Sequence, residues 1–520
     1  MTRFQKAYLL GVLLMSGAAV MVIELLGAKI IHPYFGVTLY VWAAMIAVTL
    51  LSLSVGYGVG GLLADRFPGP AGLFWILLAS GIFILFIPIA ASPFMVWTSR
   101  FELRFAVMLS GLVLFSLPLL LLGTVTPYTV KLCLEKIETT GMTTGTLYAV
   151  STLGSLAGTL LTGFYLIPNF KIRSIFIALA LILFVLAVGG FLLIKTFRRR
   201  SLALIAMTAA IYFCLIIFSV PGKAGETTVL HQTTTPYGQI KVVETRGVRA
   251  LLVNGAPQSY YLIGEARYAF FKDLQYEGFV TSLLMIRPET HSVLMIGLGG
   301  GHIASFFARQ GIITEIIEID PAIIEIAKKY FHYDPRIGNI YLGDGRFQLR
   351  QLKRLSRRYD AVVVDAFASY DLPEHLLTRE MFEDIKGTLT PEGVLAINID
   401  GATQGSAARV PNAIYATLKS KFQHVRVFDV DSEKNVNNIV FLASEGSLDW
   451  NESTCRLMTC QEQKVFGAAL DEKDITFEMG EGLLLTDGFN PISYWNLPVY
   501  ATYRNRIISF FGEELLSEID

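Results

Sequence analysis

The distribution of apolar and polar residues along the chain changes near residue 220. Before that point the chain carries seven long apolar runs, each close to the roughly 20 residues that a helix needs to cross a bilayer. The first run is too long for a signal-peptide core. We therefore predict a transmembrane α-helical domain of about seven helices over residues 1–220. The runs lie near residues 7–31, 38–62, 71–92, 104–125, 145–167, 174–195 and 202–220.

Beyond residue 221 no comparable run occurs, and the pattern becomes that of an α/β protein. Alternating apolar and polar residues bounded by Gly, Pro and Asn predict a small antiparallel β-sheet domain over residues 221–285. Strand-like and helix-like segments then alternate over residues 286–520, which predicts a Rossmann-like domain with a parallel, doubly wound sheet. Ligands of such sheets bind at the carboxyl ends of the strands.

Composition and charge separate the same two regions. Hydrophobic residues make up 53% of the 520 residues, which is high for a soluble protein. Residues 1–220 contain 14 Lys/Arg and 5 Asp/Glu, whereas residues 221–520 contain 29 and 38. The four cysteines have no zinc-site spacing, and no basic stripe with interleaved aromatic residues occurs. We expect no bound metal and no nucleic-acid partner.

The stretch VLMIGLGGGHIASFF, residues 293–307, predicts a buried strand that runs through a glycine turn into a helix. Gly297, Gly299 and Gly301 have the spacing G-x-G-x-G, and His302 occupies the place where a dinucleotide fingerprint needs another glycine. NAD and FAD are therefore disfavoured. The turn favours a nucleoside ligand without a pyrophosphate, as in the adenosyl-sulfonium compounds.

Acidic residues follow the next three predicted strands. Glu318 lies 21 residues after Gly297 and can bond both hydroxyl groups of a ribose. Asp344 with Gly345 ends the third strand, from which the carboxylate can bond an adenine amine, and Asp365 ends the fourth strand. A glycine turn and three acids, in this order at strand ends, indicate one nucleoside site.

With these motifs the sequence resembles the spermidine synthase family, the polyamine aminopropyltransferases, and most of all its membrane-fused members. The resemblance covers about residues 230–400. It is carried by TPYGQI, LLVNGAPQS, YEGFVTSLL, MIGLGGGH, IIEIDP, GDGRFQL, YDAVVVDAF and LTREMFEDIKGTLTPEGVLAINI, together with IELLGAKIIHPYFG, GYGVGGLLADR, LYAVSTLGSLAGTLLTGFYLIP and LLLTDGFNP outside that range.

In that family decarboxylated S-adenosylmethionine gives its aminopropyl group to putrescine, and methylthioadenosine is released. The resemblance implies an adenosyl-sulfonium co-substrate, a small-molecule amine substrate and a homodimer, and it implies no prosthetic group. It assigns proton acceptance to Asp365, ribose binding to Glu318 and adenine binding to Asp344 and Gly345. Wall contacts are implied for Gln239, Gln258 and Tyr276.

The sequence departs from the family at both amine ends of the implied site. His302 stands where the family has an aspartate that binds the terminal ammonium of the decarboxylated donor. In the D-x-x-D-P loop Asp365 is retained, but Ala368 and Ser369 replace the second aspartate and the proline. Asp371 lies three residues later and can substitute only in a reshaped loop. The family's Tyr-His-Glu reads Tyr276-Glu277-Gly278, so the acid that helps to hold the diamine is either absent or displaced by one position, to Glu277.

Three functions remain open at this point. The first is an aminopropyltransferase with altered amine recognition. The second is an enzyme that uses S-adenosylmethionine itself, because His302, charged or as a neutral donor, can face the carboxylate of that donor; its reaction would be elimination to methylthioadenosine, aminocarboxypropyl transfer or methyl transfer. The third is a nucleoside-sensing transporter, which rests on Glu24, an acid deep inside an apolar run.

Charge and chemistry predict opposite orientations in the membrane. With the N-terminus inside, the inner side collects nine basic residues against five in the outer loops, and seven helices then place the second half of the chain outside. The implied substrates are cytosolic metabolites, and we give this argument more weight. We expect a multi-pass cell-membrane protein in contact with lipid, with a cytoplasmic catalytic domain.

Overall fold

The computed structural model forms two compact units, one built from the helices up to Leu193 and one from the elements that begin at Thr228. The structure describes residues 2–35, 39–98, 100–134, 140–193, 227–263, 276–366, 372–431, 436–450, 460–475, 482–496, 498–499 and 502. The three-domain division at residues 220 and 285 stays a prediction.

The first unit contains six helices that are long and apolar enough to cross a membrane, within the described residues. They confirm helical structure for six of the seven predicted runs, and the seventh, 202–220, lies outside the described residues. The helices are Arg3–Phe35, Leu39–Arg66, Pro70–Thr98, Leu103–Cys133, Thr140–Leu161, which continues through a π-helical turn at Thr162–Leu166, and Ile172–Leu193.

Small residues allow close approach between these helices. A Cβ atom added at Gly154 would lie 2.0 Å from the carbonyl oxygen of Leu14 in the first helix. One added at Gly56 in the second helix would lie 2.4 Å from the carbonyl oxygen of Leu120 in the fourth. Because apolar helices in lipid gain little from hydrophobic burial, close backbone contact at glycine stabilises their association.

The second unit begins with a four-stranded antiparallel sheet in the order β1-β2-β3-β4. Two turns, Arg246-Gly247 and Asn254-Gly255, have positive φ at both residues, which matches the right-handed twist of hairpin strands. This sheet confirms the antiparallel β-sheet predicted before the Rossmann-like domain. Its strands are Thr228–Thr235 (β1), Gly238–Thr245 (β2), Val248–Val253 (β3) and Ala256–Leu262 (β4).

A seven-stranded sheet follows, in the order β10-β11-β9-β8-β5-β6-β7. Strands β5 to β9 are parallel, as predicted, whereas β10 and β11 form an antiparallel hairpin on the edge of the sheet beside β9. The strands are Ser292–Ile296 (β5), Ile313–Glu318 (β6), Ile340–Leu342 (β7), Tyr359–Val364 (β8), Leu389–Gly401 (β9), His424–Asp429 (β10) and Asn437–Ser444 (β11).

Helices cover both faces of the large sheet. Alternate residues of β5 face opposite sides, with Val293 and Met295 in one apolar cluster and Leu294 and Ile296 in the other. Strand order reverses at β5, because β6 lies on one side of it and β8 on the other, and such a point leaves a crevice at the carboxyl ends of the strands. The helices of this unit are Tyr276–Thr281, Leu283–Ile286, His302–Arg309, Pro321–Tyr330, Gly345–Arg354, Arg379–Lys386, Arg409–Lys419, Cys460–Lys473 and Ile492–Trp495.

Candidate active site

The glycine turn after β5 forms one wall of the crevice. Gly297, Gly299 and Gly301 all have positive φ, at 100°, 53° and 77°, a region that side chains other than glycine rarely adopt. A Cβ atom at Gly297 would lie 2.1 Å from the carbonyl oxygen of Asp365. The turn therefore needs glycine both for its backbone angles and for its close approach to the end of β8.

Glu318 is the last residue of β6 and connects the end of this strand to the glycine turn after β5. Its Oε2 accepts a hydrogen bond of 3.0 Å from the backbone N–H of Leu298, and its Oε1 accepts one of 2.9 Å from Asp320. Burial raises the pKa of Glu318, while these backbone donors oppose the rise. The carboxylate is thus fixed in the crevice wall in one orientation.

Asp344 follows β7 and caps the helix Gly345–Arg354. Its Oδ1 accepts a hydrogen bond of 2.9 Å from the N–H of Phe347, and its Oδ2 lies 2.7 Å from Nε2 of His375. A Cβ atom at Gly345 would lie 2.6 Å from Cγ2 of Ile296 at the end of β5. The loop after β7 consequently packs directly against the base of the crevice.

Asp365 lies at the end of β8 and is partly buried. Its Oδ1 accepts a hydrogen bond of 3.0 Å from Nδ2 of Asn398, and its Oδ2 is 3.4 Å from the hydroxyl of Tyr276, which donates to it. Burial raises the pKa of Asp365, and the two donors oppose that rise. Burial also raises the pKa of Tyr276, and the neighbouring Asp365 carboxylate raises it further.

These four strand ends enclose a single cavity of about 280 Å³. It brings together the glycine turn, Glu318, Asp344 and Asp365, as the order of the motifs predicted. The other residues that line it and were predicted for the site are Gly297, Gly299, His302, Gly345, Gln258, Tyr276 and Glu277.

Three of the predicted positions are not in the described cavity wall. Gln239 is buried in β2, where its backbone N–H donates to Oδ1 of Asn254 at 2.9 Å, and its side chain does not line the cavity. Gly301 packs against Tyr333 behind the turn and does not line it either. Asp371, with the replaced loop positions Ala368 and Ser369, lies outside the described residues.

His302 lines the cavity in a neutral state. Burial lowers the pKa of its imidazole to about 4, so the ring carries no charge near pH 7. Its Nε2 atom is buried and has no hydrogen-bond partner among the described residues, and the ring makes an edge contact with Phe331 at 6.0 Å between centroids. Of the two states considered from the sequence, burial of the imidazole favours the neutral one.

Glu277 adds a second titratable carboxyl group to the Asp365 end of the cavity. Burial raises its pKa to about 8, and the nearby Asp365 carboxylate contributes to the rise. In the absence of a cation it is therefore mainly protonated at neutral pH. A bound ammonium group would favour its ionised form, so this end of the cavity has the chemistry of a cation site.

Several residues that hold the site in place were not predicted from the sequence. Ser259 in β4 accepts a hydrogen bond of 2.8 Å from the N–H of Gly300, which ties the small sheet to the glycine turn. Arg346, directly after Gly345, makes a bidentate ion pair with Asp487 at 2.7 and 2.8 Å. Asn398 was detectable as a polar residue inside the apolar run VLAINI, whereas the other contacts join distant positions.

Comparison with known proteins identifies a related domain in this part of the chain. Residues 275–424 match the spermine/spermidine synthase domain family. A polyamine aminopropyltransferase from Vibrio vulnificus is 28% identical over 288 residues, which cover 52% of this chain and 92% of that protein. Spermidine synthase 1 from Hyoscyamus niger is 29% identical over 188 residues; these cover 34% of this chain and about half, 56%, of the plant protein.

Two solved structures are similar to part of the chain. A spermidine synthase from Thermotoga maritima is 20% identical, with a TM-score of 0.37, over 46% of this chain and 84% of that one. A probable spermidine synthase from Corynebacterium glutamicum is 16% identical, with a TM-score of 0.36, over 54% of this chain and 94% of that one.

Proposed function

Since the chain carries a domain of the spermine/spermidine synthase type, we propose that it transfers an aminopropyl group from decarboxylated S-adenosylmethionine to putrescine or another small amine. Methylthioadenosine is the second product. The observation that carries this proposal is the partly buried Asp365 at one end of a cavity whose other walls are the glycine turn, Glu318 and Asp344. A candidate proton acceptor and a candidate nucleoside-binding site thus lie in the same cavity.

The nucleoside part of the cavity supports an adenosyl donor. Glu318 would accept hydrogen bonds from the ribose hydroxyls, and Asp344 with Gly345 would contact the adenine ring. The glycine turn lets the backbone pass close to the ligand without side chains in the way. The donor's sulfonium and its propyl chain would then extend toward Asp365.

The chemistry needs a base at the Asp365 end. The acceptor nitrogen attacks the carbon beside the sulfonium, a C–N bond forms, and the electron pair of the breaking C–S bond goes to sulfur. A protonated amine has no lone pair, so a carboxylate must take its proton before or during the attack. Asp365 fits this role because burial raises its pKa, which makes the ionised form a stronger proton acceptor.

A second donor is favoured by one observation. The neutral His302, with its unpartnered Nε2, offers no negative charge to the terminal ammonium of the decarboxylated donor. A neutral imidazole can donate a hydrogen bond to the carboxylate of intact S-adenosylmethionine. This second function is elimination to methylthioadenosine, or aminocarboxypropyl or methyl transfer, from the intact donor.

The His302→Asp variant is expected to discriminate between these donors. If the propyl end of the donor meets residue 302, an aspartate there adds a charged hydrogen bond to the ammonium and raises kcat/KM with the decarboxylated donor roughly tenfold. The ratio of kcat/KM for the two donors measures the effect. His302→Asn is the matched control, since it is polar and uncharged; an unchanged donor ratio in His302→Asp would refute this role for residue 302.

We propose further that the six described apolar helices anchor the enzyme in the cell membrane, with the catalytic domain in the cytoplasm, where these metabolites occur. Contact with lipid and assembly as a homodimer belong to the same proposal. Addition of a glycosylation acceptor or a thiol label to the soluble unit would test the orientation. Labelling from the cytoplasmic side alone is the expected result.

The reaction itself is tested with the full-length protein in detergent. The protein is incubated with decarboxylated or intact S-adenosylmethionine, each with and without putrescine, and methylthioadenosine is measured by mass spectrometry. We expect putrescine-dependent methylthioadenosine from the decarboxylated donor. Methylthioadenosine from the intact donor without any amine would overturn the proposal and support elimination instead.

A further inference from the structure

Asn398 is an unexpected residue in the middle of the sheet. It lies in β9 between Ile397 and Ile399, both fully buried, and is itself only 3% exposed. A buried amide destabilises a fold unless it is hydrogen-bonded, and an apolar side chain of similar size would extend the core at this position. The strand therefore does not need an asparagine for its own stability.

The amide of Asn398 is oriented by a chain of hydrogen bonds that begins at Asp400. Asn438 lies in β11 and is paired with Asp400 in β9. An ionised carboxylate can only accept hydrogen bonds, so Asn438 donates from its Nδ2 to Oδ1 of Asp400 at 3.1 Å. The same Nδ2 also donates to Oδ1 of Asn398 at 3.3 Å across the diagonal of the strand pair. Asn398 must then direct its own Nδ2 the other way.

That nitrogen donates to Oδ1 of Asp365 at 3.0 Å. With Oδ1 occupied, the second oxygen, Oδ2, is directed to the Tyr276 hydroxyl at the wall of the cavity. The backbone N–H of Asp365 donates to the carbonyl oxygen of Ile296 at 3.0 Å, but this bond leaves the direction of the carboxylate open. The side chain is fixed instead from the neighbouring strand.

We propose that Asn398 is a positioning residue, which holds the Asp365 carboxylate so that Oδ2 faces the incoming amine, and that Asn438 and Asp400 hold Asn398 in turn. This inference rests on the proposed role of Asp365 as the proton acceptor. Asn398 touches no substrate in this account; it acts through Asp365 by fixing its direction and by favouring its ionised form.

Asn398→Leu, made in the full-length protein, is expected to lower kcat about tenfold and to leave KM for the adenosyl donor unchanged. The pKa of Asp365 rises when a hydrogen-bond donor to its charged form is lost. In a plot of kcat against pH, the acid limb is therefore expected to shift to higher pH by about one unit, the effect of one charge-assisted hydrogen bond. Asn438→Leu is expected to produce a smaller shift in the same direction.

Asn339→Leu is the matched control. Asn339 also donates its side-chain amide to a buried carboxylate, Glu315 at 3.1 Å, but neither residue lines the cavity. The Asn339→Leu substitution is expected to lower the melting temperature without shifting the acid limb of the plot of kcat against pH. A fall of kcat in Asn398→Leu with an unmoved acid limb would overturn the inference, since a purely structural defect predicts that pattern.

A second measurement does not depend on turnover. Burial raises the pKa of Asp365 above its ordinary value, so its contribution to stability is fully present at low pH and is lost as pH rises through the folded-state pKa. Removal of Asn398 raises that pKa further. The melting-temperature difference between Asn398→Leu and wild type is therefore expected to widen as the pH rises from acidic to neutral values.

A constant difference over that range would contradict the inference even if the protein showed no aminopropyl transfer. Conversely, absence of turnover in the wild type with a widening difference would contradict the proposed function and leave the contact between Asn398 and Asp365 supported. The two failures are thus distinguishable.

Discussion

Asp365→Asn is expected to lower kcat for aminopropyl transfer by roughly 10²- to 10⁴-fold, the range that a general base contributes. The substitution keeps the size of the side chain but removes its capacity to take a proton from the amine. Binding of methylthioadenosine is expected to change little, because the ribose and adenine contacts are assigned to Glu318 and Asp344. Single-turnover kinetics for the chemical step and calorimetry for product binding measure the two effects.

Asp360→Asn provides the control for this variant. Asp360 lies in the same strand, but near its other end, where its Oδ2 accepts hydrogen bonds from the backbone N–H groups of His291 and Ser292 at 2.9 and 3.1 Å. It does not line the cavity. We expect lower thermal stability and nearly unchanged kcat. If Asp365→Asn retained wild-type kcat, the base would have to be another group, and Glu277 would be the first to examine.

Glu318→Gln is expected to weaken binding of methylthioadenosine roughly 10- to 100-fold. The ionised carboxylate can accept charge-assisted hydrogen bonds from ribose hydroxyls, whereas a glutamine amide offers one neutral oxygen and an NH₂ group. That NH₂ group would also face one of two backbone donors, the N–H of Leu298 or that of Asp320. Calorimetric titration with methylthioadenosine measures the loss.

Glu315→Gln separates nucleoside binding from general damage to the strand. Glu315 lies three residues earlier in β6, is also buried, and accepts hydrogen bonds from Tyr359 and Asn339 at 2.5 and 3.1 Å, away from the cavity. The Glu315→Gln variant is expected to have a lower melting temperature than wild type and to bind methylthioadenosine with wild-type affinity while it is folded. Equal affinity losses in the two variants would argue against ribose recognition by Glu318.

Much of the site followed from the sequence because parallel strands leave their carboxyl ends at one edge of the sheet. The glycine turn, Glu318, Asp344 and Asp365 each follow a strand, and the structure brings all four to one cavity. No knowledge of distant contacts was needed for this step, since alternation of strands and helices already fixes which loops share an edge.

Contacts between distant parts of the chain were not predictable in the same way. His375 lies 31 residues after Asp344, and Asp487 lies 141 residues after Arg346, so neither pair follows from local spacing. The antiparallel pairing of β11 with β9 was also missed, although it places Asn438 beside Asp400 and Asn398. These partners decide how the acids are oriented, which the order of motifs does not show.

The charge of a residue in its environment is the other property that the sequence did not determine. His302 was compatible with a charged or a neutral imidazole until its burial was known, and burial lowers its pKa to about 4. Glu277 is an ordinary acid in the sequence, yet burial and the neighbouring Asp365 raise its pKa to about 8. Both values depend on packing between segments that are far apart in the chain.

The most direct test of the central claim follows the transferred carbon atoms. The full-length protein is incubated with putrescine and decarboxylated S-adenosylmethionine that carries deuterium on its aminopropyl carbons, and the amine products are analysed by mass spectrometry. We expect the label to appear in a new, longer amine, in an amount equal to the methylthioadenosine released. Methylthioadenosine without label in any amine would contradict it, because the C–S bond would then break without transfer to nitrogen.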